Sequence, residues 1–192
     1  MTTATRTPRI RMDPATRRAQ IVDRATAIIS RSGFQGFSIA ELARECGISR
    51  AGVLHHFDSA EAVLVAVLRQ RDLADAAAAD DFVHVDSPAE MRSTLHRTVA
   101  RNAGQREIVR LYTVLAAESL SPDHPAHAYF ADRVSEIRQQ VAATLTWHPD
   151  PESLLLRILA TMDGLQLAWL RDPTIDLVAA WDLAAQDLLP DP

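Results

Sequence analysis

The sequence predicts an all-α fold of nine helices in two parts, and three observations predict it. Apolar residues recur at spacings of three and four along most of the 192 residues, the period of a helix face. Capping residues and Gly or Pro stops punctuate those runs. Stretches that alternate apolar and polar, as a half-buried strand would, are absent. With 47% hydrophobic and 23% charged residues, the chain has the composition of a globular protein with a core of its own.

Each helix has a local reason. Asp13-Pro14 supplies an N-cap and a proline at the first helical position; Ile21, Ala25, Ile28 and Ile29 then share a face until Gly33 stops the run. Ser38 with Glu41 is a capping box that opens a short helix, Ile39 to Cys46, ended by Gly47. Ser49 caps a third helix, Arg50 to Phe57, and Asp58 with Glu61 reads as a second capping box before a long fourth. Ser87-Pro88-Ala89-Glu90 opens the fifth, and Ile108, Leu111, Tyr112 and Leu115 mark the sixth. Phe130, Val134, Ile137, Val141 and Leu145 form the stripe of the seventh. Asp150-Pro151 caps an eighth helix that is apolar nearly all round, and Asp172-Pro173 separates it from a ninth carrying Leu177, Trp181, Ala184 and Leu188. An all-round apolar helix must be covered on more than one side.

Composition narrows the function classes. A single cysteine, Cys46, excludes a disulfide framework and a multi-cysteine zinc site, and points to a reducing, cytoplasmic setting. The longest uninterrupted apolar run, Ala62 to Leu68, falls far short of the roughly 20 residues that span a bilayer, so no membrane segment is expected. Met1 to Pro14 has arginines but no apolar core to follow them, so no signal peptide is expected either. The net charge of −5 argues against a nucleic-acid partner only until it is located. Residues 1 to 57 hold nine Arg and four acidic residues, a balance of +5, whereas residues 58 to 192 sum to −10. Such asymmetry suggests that the basic end meets a polyanion. All twenty basic residues are Arg, which reads as genomic composition bias rather than a demand for guanidinium at each position.

The most informative segment is Ile39 to Phe57. Two short helices joined by Gly47-Ile48-Ser49 match a helix-turn-helix, with Leu42, Cys46, Ile48 and Val53 packing inward. In such a unit the second helix lies in the major groove and presents its N-terminal residues to base edges. Arg50, Ala51, Gly52 and His55 would then face DNA: the small residues allow close approach, Arg50 can fork onto guanine or grip phosphate, and His55 can bond a base edge. A helical hairpin with a glycine turn also occurs as plain structure; the +5 balance and the long flanking helices favour DNA.

Phe37 to Ala43, Gly47 to Phe57 and Ser59 to Leu64 closely resemble the TetR family of transcriptional regulators, over about fifty residues from Ala19 to Leu68. The resemblance implies a flexible arm over 1–12, a three-helix DNA-binding domain over 13–57, and an effector-binding and dimerisation domain over 58–192. It implies a repressor that binds a palindromic operator as a homodimer through its last two helices, and that a small-molecule effector releases it. Carried over residue by residue, it gives Ser38, Ser49, Arg50 and His56 as cap or phosphate contacts, and Ala51, Gly52 and His55 as base-facing. The family usually has tyrosine where this chain has Leu54 and lysine where it has Ala60, so two backbone contacts are missing. Leu54 can still touch a thymine methyl, and Arg6, Arg9 and Arg11 of the arm could compensate in a minor groove, if the arm is not simply disordered.

An effector pocket would draw its apolar wall from Tyr112, Phe130, Trp147, Met162 and Trp169 and its polar anchors from His96, Glu118 and Asp163. Each aromatic also reads as ordinary core. His124 and His127 have metal-like spacing, but no further ligand completes a set, so no metal and no cofactor are expected. The competing class, an all-α enzyme, lacks any His-Glu-x-x-His or Glu-x-x-His signature, and no enzyme activity is expected.

Overall fold

The computed structural model describes residues 12–78 and 85–190, and these form nine α-helices and no strand. They are α1 (Pro14–Ser32), α2 (Ile39–Cys46), α3 (Arg50–Leu54), α4 (Ala60–Ala78), α5 (Pro88–Ala103), α6 (Arg106–Glu118), α7 (His127–Thr144), α8 (Pro151–Arg171) and α9 (Leu177–Leu188). A single 3-10 turn, Phe34–Gly36, joins α1 to α2 and has no signal in the apolar periodicity. The arm's Arg6, Arg9 and Arg11 lie outside the described residues.

Side chains cap most helices where the sequence places them. Asp13 Oδ1 accepts from Thr16 N at 3.0 Å, Ser38 Oγ from Glu41 N at 3.2 Å, and Asp150 Oδ1 from Ser153 N at 3.1 Å. At α5, Ser87 Oγ accepts from Glu90 N at 3.3 Å, while Glu90 Oε2 accepts at 2.8 Å from the N–H of Asp86, one residue before the N-cap. Two expectations are corrected. The α4 cap is Ser59, whose Oγ accepts from Ala62 N at 3.1 Å, rather than Asp58. Helix α3 stops at Leu54 instead of Phe57, because the N–H groups of His56 and Phe57 both close onto Val53 O and tighten the last turn.

Two apolar clusters hold the chain together. The first joins Ile21, Ala25, Ile28 and Ile29 of α1, Leu42, Ala43 and Cys46 of α2, Val53 of α3 and Phe57 to the inner face of α4. It continues into Ile108, Leu111 and Leu115 of α6 and Tyr129 of α7. The second gathers α5, α8 and α9 around Trp181, which is fully buried, with Met91, Leu154, Trp169 and Leu189. Val109 of α6 belongs to this second cluster, so α6 is a wall shared by both. The change at residues 57/58 is therefore a change of helix and not a break in the core.

Two helices pack differently from their sequence patterns. On α7, Val134 is exposed, while Tyr129 is buried and Phe130, Arg133 and Ile137 are partly buried; the side chain of Val141 lies outside the described residues. Helix α8 is long and apolar enough by length and composition to cross a bilayer, which the longest apolar run does not reveal. It buries Leu154, Leu155, Ile158, Gln166 and Trp169 within the protein, and leaves Leu156 63% and Leu167 37% exposed on its other side.

Candidate nucleic-acid interface and the core of the helical body

The turn between α2 and α3 is built on Gly47, whose φ of 65° and ψ of 31° are left-handed and suit glycine. A side chain there would meet nothing within 4 Å, so backbone conformation alone selects the residue. Ile48 N then donates to Ala43 O at 3.0 Å, and Ser49 Oγ accepts from Gly52 N at 3.0 Å to start α3. Each capping serine accepts with its oxygen and keeps its hydroxyl proton for an outside acceptor such as phosphate.

Helix α3 has a buried side and an open side. Val53 is fully buried and Phe57 nearly so, whereas Arg50, Ala51, Leu54 and His55 are exposed, as are Ser38 and Ser49. Gly52 is only half-exposed: a Cβ there would lie 3.3 Å from Ser49 Oγ and 3.4 Å from Ile48 Cβ, so its smallness serves the turn as well as approach to a groove. His56 is half-buried, its ring edge-on to His55 at 5.3 Å. Desolvation, then the charges of His55, Arg17 and Arg18, hold the His56 imidazole below its usual value.

The positive charge of this part is unevenly available. Arg31 of α1 reaches Glu41 at 3.5 Å and Arg44 reaches Glu45 at 3.1 Å, so both arginines are partly neutralised in a network of ion pairs with the carboxylates of α2. Arg50 has no ion pair among the described residues and stands at the start of the open side. One contact from outside the motif was not anticipated: Arg18 of α1 donates to His56 O and lays its guanidinium 3.9 Å above the Phe57 ring.

In the helical body the eight residues read as effector candidates occupy several places. Tyr112 and Phe130 meet edge-on at 5.2 Å between α6 and α7, and Asp163 of α8 is close enough to feel Arg133. Asp163 is exposed by area yet sufficiently surrounded that desolvation raises its carboxyl, against the opposing pull of Arg133. His96 pairs with Asp182 of α9 at 2.7 Å. Trp147 Nε1 donates to Val85 O at 3.0 Å, and Met162 packs on the second cluster. Trp169 is buried beneath Arg106, whose guanidinium lies 4.5 Å from the ring centroid. Glu118 is exposed, 3.7 Å from His124 Nε2. His124 Nδ1 accepts from Ala126 N, and His127 Nδ1 lies 2.8 Å from Ser119 O.

Three residues missed in the sequence complete the group around Tyr112. Arg133 Nε donates to both oxygens of Asp72 at 3.2 and 3.1 Å, Arg133 Nη1 donates to Tyr112 Oη at 3.2 Å, and Tyr129 Oη donates to the same carboxylate. Desolvation raises both tyrosine hydroxyls; for Tyr129 the hydrogen bond to Asp72 adds to it. Burial alone would lower Arg133, but Tyr112, Asp72 and Tyr129 together raise it, keeping the guanidinium charged. The i,i+4 spacing of Tyr129 and Arg133 was a usable signal. Asp72 had none. Two open clefts lie elsewhere: one of about 470 Å³ between the end of α1 and the start of α6, and one of about 250 Å³ where Thr26, Arg71 and Ile108 meet.

A capped helix-turn-helix with one open face, mounted on an all-α body, places the chain in the class of helix-turn-helix proteins. Residues 21–67 match the profile of bacterial regulatory proteins of the tetR family. The HTH-type transcriptional regulator BetI of Rhizobium meliloti (strain 1021) is 37% identical over 62 residues, 32% of this chain and 30% of that protein, so the match spans under a third of the relative's length. Solved structures extend the likeness to the whole fold. A putative transcriptional regulator from Saccharomonospora viridis in complex with choline superposes with a TM-score of 0.70 at 22% identity, covering 90% of this chain and 95% of that one. The regulator FadR from Bacillus subtilis in complex with stearoyl-CoA gives 0.72 at 15% identity, covering 91% and 98%. The likeness to tetR-family regulators thus lies in sequence over the helix-turn-helix segment and in fold over most of the chain.

Proposed function

We propose that the chain is a ligand-responsive repressor of transcription that binds a palindromic operator as a homodimer in the cytoplasm. The observation that carries this reading is α3 itself: Val53 is buried, and Arg50, Ala51 and Leu54, with His55 at the C-cap, are turned outward together. That arrangement suits insertion into a major groove, with Ser38, Ser49 and His56 at the flanking phosphates and Gly52 close to the bases. Residues 13–57 are the reading unit and residues 58–192 the effector-binding and dimerising body.

The dimer is supported by α8. Leu156, Ala160, Gly164 and Leu167 recur at one-face spacing and are all exposed, and a Cβ at Gly164 would meet nothing within 4 Å. A second copy's helix fits against that face, with Leu183 of α9, 68% exposed, at its side. Ligand response is supported by the two neighbours that hold choline and stearoyl-CoA in the same fold. In this chain the effector site is the group of Tyr112, Phe130 and Asp163 with Asp72, Tyr129 and Arg133. The test is a gel shift with duplex DNA flanking the chain's own gene, at rising salt. A sequence-specific shift that weakens steeply with salt is expected; no shift even at low salt would refute the reading.

A further inference from the structure

Helix α3 is too short to hold itself. Five residues close barely one turn, and an isolated helix of that length is unstable in water, so its position relative to DNA is set by what fastens its two ends. The N-terminal end is fastened within the motif, by Ser49. At the other end Val53 O takes two N–H groups, and the chain turns away through His56 and Phe57. There a side chain from another helix bonds the backbone: Arg18, 38 residues earlier, donates to His56 O.

We propose that Arg18 is a positioning residue for operator binding, a clamp from α1 that sets the angle of the recognition helix and does not itself touch DNA. Its guanidinium makes two contacts at once: it donates to the His56 carbonyl and lies 3.9 Å over the face of Phe57. A carbonyl just beyond a helix C-terminus carries partial negative charge and attracts a cation, and the planar group stacks on a ring while its edge donates. Phe57 is 2% exposed and rooted in the first cluster, so the clamp ties α3 to the core through a ring that cannot shift. A lysine would keep the charge but lose the stacked plane. Arg17, next in sequence, is engaged differently, with Nη1 bonded to Gln20 at 2.6 Å on its own helix.

This inference rests on the DNA-binding reading, and the experiment separates the two. Duplexes are first selected from a random pool by the full-length wild-type chain; if none is enriched, the DNA-binding reading fails and the clamp with it. With an enriched duplex in hand, Arg18→Ala and Arg18→Lys are titrated against it at several salt concentrations, with melting curves for each. A clamp predicts that R18A loses about ten-fold in affinity, that R18K recovers only part of it, and that the slope of log affinity against log salt is unchanged in both. A phosphate contact predicts a slope reduced by about 0.9 in R18A and full recovery in R18K, and would overturn the proposal. Unchanged affinity in R18A would overturn it too. Phe57→Leu supplies a readout independent of charge: combined with R18A, its effect on affinity should be less than additive, and full additivity counts against the clamp.

Discussion

Arg50 and His55 stand on the open side of a helix whose opposite side is fully buried, which separates their contribution to binding from any contribution to stability. Replacing both with Ala should cost about 2 to 5 kcal/mol of sequence-specific binding, read by titration against the operator, and leave the melting temperature unchanged. An unaltered affinity would displace these residues from the reading face. His56 carries a second prediction. Its value in the folded chain is held below the ordinary 6.5, so its neutral form adds stability above that pH, and this is lost as pH falls through the depressed value. Phosphate nearby favours the charged form, so DNA affinity should instead rise as pH drops from about 7.5 to 6, with proton uptake measurable by calorimetry in buffers of different ionisation heat. His56→Gln should flatten that rise. The exposed side of α3 was legible in the sequence because Ser49 fixes where α3 begins, and the turn of the helix then fixes which side each residue takes. Asp72, Tyr129 and Arg133 were not legible as a group: 57 and 61 residues separate the carboxylate from its partners, and no local pattern spans such a distance.

Helix ends were the most readable elements. Asp13, Ser38, Ser49, Ser87 and Asp150 each cap with the side chain the sequence offers. Losing one has a defined cost: Asp150→Ala should destabilise the chain by about 1 kcal/mol, seen as a melting temperature lower by a few degrees, and Asp150→Asn should restore most of it. The failures have physical causes. Asp58 and Ser59 are both capping types at adjacent positions, and a one-residue choice between them is not decided by residue type; α4 begins at Ala60, so Ser59 takes the cap. On α7 an apolar stripe ran through Val134, but the paired charges of Asp72 and Arg133 make a polar position the inward one. Periodicity assumes that inward means apolar, and a satisfied ion pair breaks that assumption.

At the scale of the molecule, the exposed apolar side of α8 and the shared wall of α6 govern behaviour. Leu156→Glu places a charge on the open face without disturbing Leu154, Leu155 or Ile158, so it should yield a folded monomer by size-exclusion chromatography with light scattering. DNA affinity should fall with it, since half-sites are then bound singly. A variant that remains dimeric would move the interface elsewhere. The first cluster predicts in addition that the reading unit and the body melt together in one calorimetric transition, because Ile108, Leu111, Leu115 and Tyr129 supply part of the core under α1 to α4. The charge asymmetry about residue 57 was legible in the sequence; the common core was not, since periodicity says which face is buried and not against what. The same α6 wall limits modular exchange. Grafting residues 13–57 onto another helical body would expose Ile28, Leu42 and their neighbours to a surface not shaped for them. The reading unit therefore cannot be traded as a cassette, and a working chimera would have to carry the inner faces of α4, α6 and α7 across with it.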